Sequence, residues 1–208
     1  MTIDNPQRAA LAAFNFSQKY ARYLPEHKRR ETWSEATRRV MTMHRTKLGE
    51  RAEELSVELE EIERLINERR ILGSQRSLQF GGDAVLSKHA RSYNCTSCYM
   101  DHVDRFAQAL YLLLCGAGVG YSVQKHHVSK LPPILDADTL ISKERRAIVI
   151  PDTIEGWADA FKSLLHAYTE LETALPLFDF SEIREKGAPI SSCGGKAPGP
   201  EPLRIALE

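Results

Sequence analysis

Two stretches of the 208-residue chain carry side chains able to do chemistry. The first is Tyr93-Asn94-Cys95-Thr96-Ser97-Cys98-Tyr99. The second follows one amphipathic segment later and reads Cys115-Gly116-Ala117-Gly118-Val119-Gly120-Tyr121-Ser122-Val123-Gln124. A thiol and a glycine-rich backbone about one helix apart can face one another across a pocket, which suits redox chemistry on a phosphorylated or sugar-bearing ligand.

Each of these features also has a plainer reading. In dinucleotide-binding and P-loop proteins the order is strand, glycine loop, helix. Here Val103, Phe106, Ala107, Leu110, Leu113 and Leu114 recur at helical spacing before the glycines, and Tyr121 to Gln124 alternate like a strand after them. No Gly-Lys-Ser/Thr follows, so a P-loop is rejected, and Gly116, Gly118 and Gly120 also serve as a tight helix-to-strand connection. A single Cys-x-x-Cys cannot complete a four-thiolate zinc site, and the spacings of His102, His126 and His127 match no zinc pattern. Thioredoxin-like chemistry needs the motif at a helix start after a strand, which Asn94-Cys95-Thr96-Ser97-Cys98 fits only loosely. The residues alone leave Cys95 an ambiguous thiol.

The elements that must position these groups are legible in the pattern. The first 75 residues read as helical and charged, opening on Phe14, Phe16, Tyr20 and Tyr23, with Pro25 breaking the first segment. Thr32 or Ser34 is placed to cap a second helix. A stripe of Leu48, Ala52, Leu55, Leu59, Ile62 and Ile66 marks a third, too short for a coiled coil and so packed within the chain. Beyond Gly73 short apolar runs predict buried strands at Leu78 to Phe80, Ala147 to Ile150 and Leu175 to Phe180. A helix capped from Pro151-Asp152-Thr153 carries Ile154, Trp157, Ala158, Phe161, Leu164, Leu165 and Tyr168. Leu131 to Ser142 reads as an excursion. The Gly- and Pro-rich run from Arg184 to Leu203 reads as a shaped functional loop, because apolar residues resume at Leu203-Arg204-Ile205-Ala206-Leu207. Alternation of strand and helix predicts an α/β architecture.

Composition sets the outer bounds. Lysine plus arginine and aspartate plus glutamate number 28 each, so the formal charge is zero and no attraction to nucleic acid is indicated. No apolar run reaches the roughly 18 to 20 residues that span a bilayer, and the start lacks a signal peptide's apolar segment, so the expectation is a cytoplasmic protein without a membrane partner. Four cysteines do not make a disulfide scaffold.

Taken in order, the motifs resemble the amino-terminal third of an adenosylcobalamin-dependent (class II) ribonucleotide reductase of the monomeric ribonucleoside-triphosphate kind. The residues that carry the resemblance are Tyr20-Ala21-Arg22-Tyr23 with Arg29-Arg30-Glu31-Thr32-Trp33, then Arg76-Ser77-Leu78-Gln79-Phe80-Gly81-Gly82, Tyr93-Asn94-Cys95 and Leu113 to Val123. It continues through Ile150-Pro151-Asp152-Thr153-Ile154-Glu155-Gly156-Trp157-Ala158-Asp159 and Gly187-Ala188-Pro189 to Gly194-Gly195-Lys196-Ala197-Pro198-Gly199-Pro200-Glu201-Pro202-Leu203.

The resemblance implies a ten-stranded α/β barrel, of which this chain would hold a helical lead-in over residues 1–75 and the first strands over residues 76–208, with an effector or insertion region at about 129–172. It implies that Cys95 is one of two thiols that reduce the substrate. In that family a thiyl radical generated with adenosylcobalamin abstracts the ribose 3′ hydrogen and the 2′ hydroxyl leaves as water. The thiol pair ends as a disulfide, re-reduced by a thioredoxin-type donor. Ser77, Ala117 and Gly118 match positions that contact the ribonucleotide substrate, and Asp101, His102 and Val103 match the deoxynucleotide effector site. The plain alternative for Asp101 is a helix N-cap. Cys98, Cys115 and Cys193 take no family role and read as small buried thiols. The radical cysteine, its neighbouring carboxylate and the second reducing cysteine lie beyond Glu208 in family members, so the expectation is a piece of a longer or split reductase, inactive without the missing carboxy-terminal part. The rival reading, from a different class, is a non-catalytic interaction or metal-binding module built on the helical stripe and on Cys95 and Cys98.

Overall fold

The structure is a computed structural model, and it describes residues 5–169, 173–190 and 195–208. The chain divides into two compact units, residues 1–93 and residues 94–190 with 195–208 as the bulk of the second.

The first unit is helical. Helix α1 (Pro6–Lys19) starts from Asn5, whose side chain accepts from the amides of Gln7 and Arg8. A small antiparallel pair, β1 (Tyr23–Leu24) and β2 (Arg29–Arg30), turns through Pro25–His27. Helix α2 (Trp33–Leu48) begins with a reciprocal capping box, the Thr32 hydroxyl accepting from the Glu35 amide while the Glu35 carboxylate accepts from the Thr32 amide. Glu35 also takes a two-pronged contact from Arg29, and these bonds hold its carboxyl well below the usual carboxylate range.

The apolar stripe read as one helix is broken. Gly49, at φ 59, ends α2, and the chain re-enters as α3 (Arg51–Glu54) and α4 (Ser56–Asn67). The stripe still packs within the chain: Met41, Leu59 and Ile66 form a core with Trp33, Leu48, Ala52 and Leu55 around it. A second core joins Val40, Met43 and Leu78. Arg39 grips the buried Glu31 with two bonds of 2.7 and 2.9 Å and donates to the carbonyls of Leu78 and Gly81.

One expected strand is corrected. Leu78 to Phe80 lies in the short helix α5 (Gln75–Phe80), followed by α6 (Asp83–Ser87) and a 3-10 turn at His89–Ser92. Arg76, Leu78 and Phe80 are the buried residues of α5, so its burial alternates as a strand's would; a six-residue run cannot be assigned by periodicity alone.

The second unit is built from two strand–helix–strand repeats. In the first, β3 (Cys95–Tyr99) runs through α7 (Asp104–Leu114) into β4 (Gly118–Ser122), and β3 pairs with β4 in parallel. Helices α8 (Lys125–Val128) and α9 (Ala137–Ser142) follow; the predicted excursion thus carries α9, capped by Asp136. In the second repeat, β5 (Arg145–Val149) leads through α10 (Ile154–Tyr168) to β6 (Leu175–Asp179), again parallel, and Thr153 caps α10 as expected. Ile150, Ala160, Phe180, Ile183, Leu203 and Leu207 form the core, so the closing helix α11 (Glu201–Leu207) is anchored. The Gly- and Pro-rich loop is shaped: Pro189 and Lys196 bridge antiparallel, and the Ala197 amide donates to the Ala188 carbonyl at 2.8 Å.

The expected α/β class is met, without a closed barrel among the described residues. The described residues form a mixed α/β structure with three two-stranded sheets and no closed sheet. Closure needs every strand edge paired, and each parallel pair here keeps both outer edges unpaired within the described residues. No described helix is long and apolar enough to cross a membrane.

Candidate functional site

Cys95 opens β3, with its side chain exposed. In the parallel register its partner is Gly118, and the next pairs on that face are Ser97 with Gly120 and Tyr99 with Ser122. Side chains alternate between the two sides of a strand, so one face of the pair presents the thiol, a serine and an exposed tyrosine over a floor of two glycines. The Gly118 amide donates to the Asn94 carbonyl at 2.8 Å, which fixes the thiol's strand against the glycine strand.

The glycine run divides its work. Gly116, at φ 92, ends α7: its amide donates to Leu113 at 2.8 Å and that of Ala117 to Leu112 at 3.0 Å, the paired bonds of a Schellman terminus. The plain helix-to-strand reading therefore holds for Gly116. Ala117 is buried, whereas Gly118 and Gly120 lie exposed on the strand, where a missing side chain opens the face beside Cys95. Ser77 belongs to the other unit. It lies half-buried on α5, lining an apolar slot of about 450 Å³ between α2, α4 and α5, and its carbonyl accepts from the Gly81 amide at 2.8 Å.

The strand also settles the geometry of the Cys-x-x-Cys pair. Cys95 and Cys98 sit three residues apart on β3 and on opposite faces. Their Cα atoms are therefore separated by roughly 10 Å, at about 3.3 Å per residue, beyond the reach of about 7 Å for a disulfide. Neither a thioredoxin-like pair nor a shared metal ion fits that arrangement. Cys98 is half-buried, with Sγ 3.9 Å from the Gly120 carbonyl, and Cys115 is fully buried where α7 ends. Cys193 lies outside the described residues.

Past the end of β3, Asp101 caps no helix. Its carboxylate lies between Arg105 Nε at 3.5 Å and Lys130 Nζ at 3.9 Å. His102 is exposed and its Nδ1 accepts from the Asp104 amide at 3.2 Å, while Val103 is buried at the start of α7. Beside them Tyr99 stacks on His127 at 4.4 Å and 19°, and His127 meets His126 at 3.9 Å. Desolvation, with His126 and Lys130 nearby, lowers the His127 pKa against the opposing pull of Asp101, favouring its neutral ring.

Sequence reasoning missed Asp104, which ties α7 to α10. His166 Nε2 lies 2.6 Å from its Oδ1, and Lys162 Nζ lies 3.2 Å from its Oδ2. Burial raises the Asp104 carboxyl pKa, but the bonds and charges of His166 and Lys162 outweigh it and hold the group below its usual range. The contact spans 62 residues, and no local spacing signals it. The stack of Tyr99 on His127 was likewise invisible, although the His126-His127 pair stood out.

The arrangement defines an α/β protein with an accessible thiol beside a glycine-floored parallel strand pair. Residues 123–207 match the family described as "B12-dependent ribonucleotide reductase, insertion domain". The chain is 26% identical to the adenosylcobalamin-dependent ribonucleoside-triphosphate reductase of Levilactobacillus brevis, over 95% of this chain and 35% of the relative. It is 27% identical to the putative reductase of the same kind from Mycobacterium phage D29, over 92% of this chain and 31% of that one. Its fold matches a crystal structure titled as a B12-dependent (class II) ribonucleotide reductase with a TM-score of 0.72 at 23% identity, covering 97% of this chain and 38% of the other. Along most of its length the chain is thus similar to class II, adenosylcobalamin-dependent ribonucleotide reductases of the ribonucleoside-triphosphate kind. It spans about a third of the length of the curated relatives it matches.

Proposed function

We propose that this chain is part of an enzyme that converts ribonucleotides to deoxyribonucleotides, with Cys95 as one of its two reducing thiols. The observation that carries the reading is the exposed Cys95 thiol set in register beside Gly118. A ribose laid on the glycine floor would meet the thiol without a side chain between them. In the proposed reaction two thiols give up two electrons and two protons. The 2′ hydroxyl leaves as water, hydrogen replaces it on the ribose, and the sulfurs join as a disulfide that a thioredoxin-type donor reduces by exchange.

On this reading Gly118 and Ala117 flank the sugar through their backbone, and Ser77, on the helical unit, is kept as a substrate contact on the strength of its motif alone. Asp101 and His102, at the end of β3, contact a deoxynucleotide effector through their polar groups, and the buried Val103 acts through its backbone. The initiating radical chemistry is that of adenosylcobalamin, as in the relatives. The slot of about 450 Å³ in the helical unit has the size of a pocket for a drug-sized ligand and does not fit a corrin with its nucleotide tail. The cofactor's contacts are therefore assigned to the part of the enzyme beyond this chain, as are the second reducing thiol and the radical cysteine. The site of action is the cytoplasm.

The test is reduction of CTP by the native polypeptide bearing this sequence, with its co-purifying partners, adenosylcobalamin and a dithiol. Turnover is expected in the wild type and a loss of about a thousandfold or more in Cys95→Ser, while residues 1–208 alone give none. Undiminished turnover in Cys95→Ser would refute the assignment.

A further inference from the structure

Arg91 holds a charge where the fold alone does not balance it. It lies in the 3-10 turn His89–Ser92, only 6% exposed, with Nε closed off from solvent and lacking a hydrogen-bond partner. Its guanidinium rests over the Phe80 ring, 5.6 Å from the centroid. Arg76, 8% exposed, lies over the same ring at 4.9 Å and donates to Gln79 Oε1 and the Tyr93 carbonyl. Among the described residues no ion pair reaches Arg91. A ring contact of this kind recovers less than the burial of an unpaired ion costs.

We propose that Arg91, with Arg76 beside it on Phe80, is a receiving site for a phosphoryl oxyanion. The guanidinium fork matches phosphate oxygens two at a time. The surroundings are basic: Lys88 lies three residues before Arg91, and Lys47 Nζ lies 3.4 Å from the His89 ring nitrogen Nε2. A phosphoryl dianion brings more charge and more oxygens to the Arg91 fork than a single carboxylate does. The phosphoryl group could come from a nucleotide or from free phosphate. Only the nucleotide form rests on the reductase reading; the oxyanion site itself does not.

The decisive experiment is thermal unfolding of the native polypeptide in inorganic tripolyphosphate and in CTP, each against a matched ionic-strength control. Both ligands are expected to raise the wild-type Tm by several degrees. Arg91→Met is expected to raise the Tm without ligand, by removing the buried charge, and to abolish the ligand-dependent shift. If that variant does not fold, phenylglyoxal modification of wild-type Arg91, followed by peptide mass, replaces it, and tripolyphosphate is expected to slow the modification at least tenfold. A wild type that neither ligand stabilises, an Arg91→Met that keeps the full shift, or an unprotected Arg91 would each overturn the site. Tighter binding of CTP than of tripolyphosphate identifies a nucleotide. Equal binding supports the oxyanion site while withdrawing its link to the reductase substrate.

Discussion

Cys95 and Gly118 are register partners in a parallel strand pair, held together where the Gly118 amide meets the Asn94 carbonyl at 2.8 Å. A Cβ built on Gly118 would touch only that carbonyl, at an ordinary 3.7 Å, so the fold does not demand glycine there. Gly118→Val should therefore leave the Tm within a few degrees of the wild type and still cut kcat/KM by about ten- to a hundredfold, since a misplacement near 1 Å has that scale of effect. Equal activity with an unchanged Tm would show that the glycine floor does not hold the substrate.

The opposite faces of Cys95 and Cys98 make a chemical prediction. Mild oxidation of the folded protein should leave the two unlinked, and peptide mapping without reduction should find no Cys95–Cys98 bridge. Unfolding in denaturant first removes the strand, and the bridge should then form readily.

Gly81 is needed for a steric reason that Gly118 lacks. A Cβ there would stand 2.3 Å from the Ser77 carbonyl oxygen and 3.1 Å from Val40 Cγ2. Gly81→Ala should destabilise the helical unit by about 1–3 kcal/mol or more. Gly73, with nothing within 4 Å of its added Cβ, provides the control, and Gly73→Ala should be neutral or stabilising by about 0.5 kcal/mol. Urea unfolding of the two variants makes the comparison.

Asp104 predicts an acid-sensitive second unit. Its carboxyl is held below its ordinary value in the folded state, so the folded form binds fewer protons than the unfolded chain. Its stabilising contribution is full above the unfolded carboxyl value of about 3.9 and is lost as the pH falls through the lower folded value. Asp104→Asn should cost about 1–2 kcal/mol at neutral pH, and the gap from wild type should shrink below about pH 4. Tm measured against pH for both proteins checks the sign.

How much of this was legible in the sequence depended on distance along the chain. The caps at Thr32 and Thr153, the glycine-ended helix before β4, and the strands β5 and β6 rest on neighbours a few residues apart, and each was read close to where it lies. The stripe from Leu48 to Ile66 gave the right packing but hid the break after Gly49, because an apolar face can continue across two short helices. Leu78 to Phe80 was misread because its burial alternates within a helix. The thiol and its glycine were both singled out by residue type, but their pairing required the strand register, which no local pattern encodes. The contacts of Asp104 with His166 and of Tyr99 with His127 join separate segments, and no local pattern marks Arg91 as buried.

The two strand–helix–strand repeats also determine how the second unit is assembled in time. Cys95 meets Gly118 across 23 residues and Arg145 meets Leu175 across 30, with a single helix bridging each pair. Parallel pairing cannot begin as a hairpin, so each repeat must close a loop of helical length before its first strand bond forms. Collapse of α7 and α10 onto their strands then becomes the event that commits the chain, and the thiol face appears only after it. A ribosome-bound or partly made chain would carry Cys95 well before it could present that thiol beside Gly118.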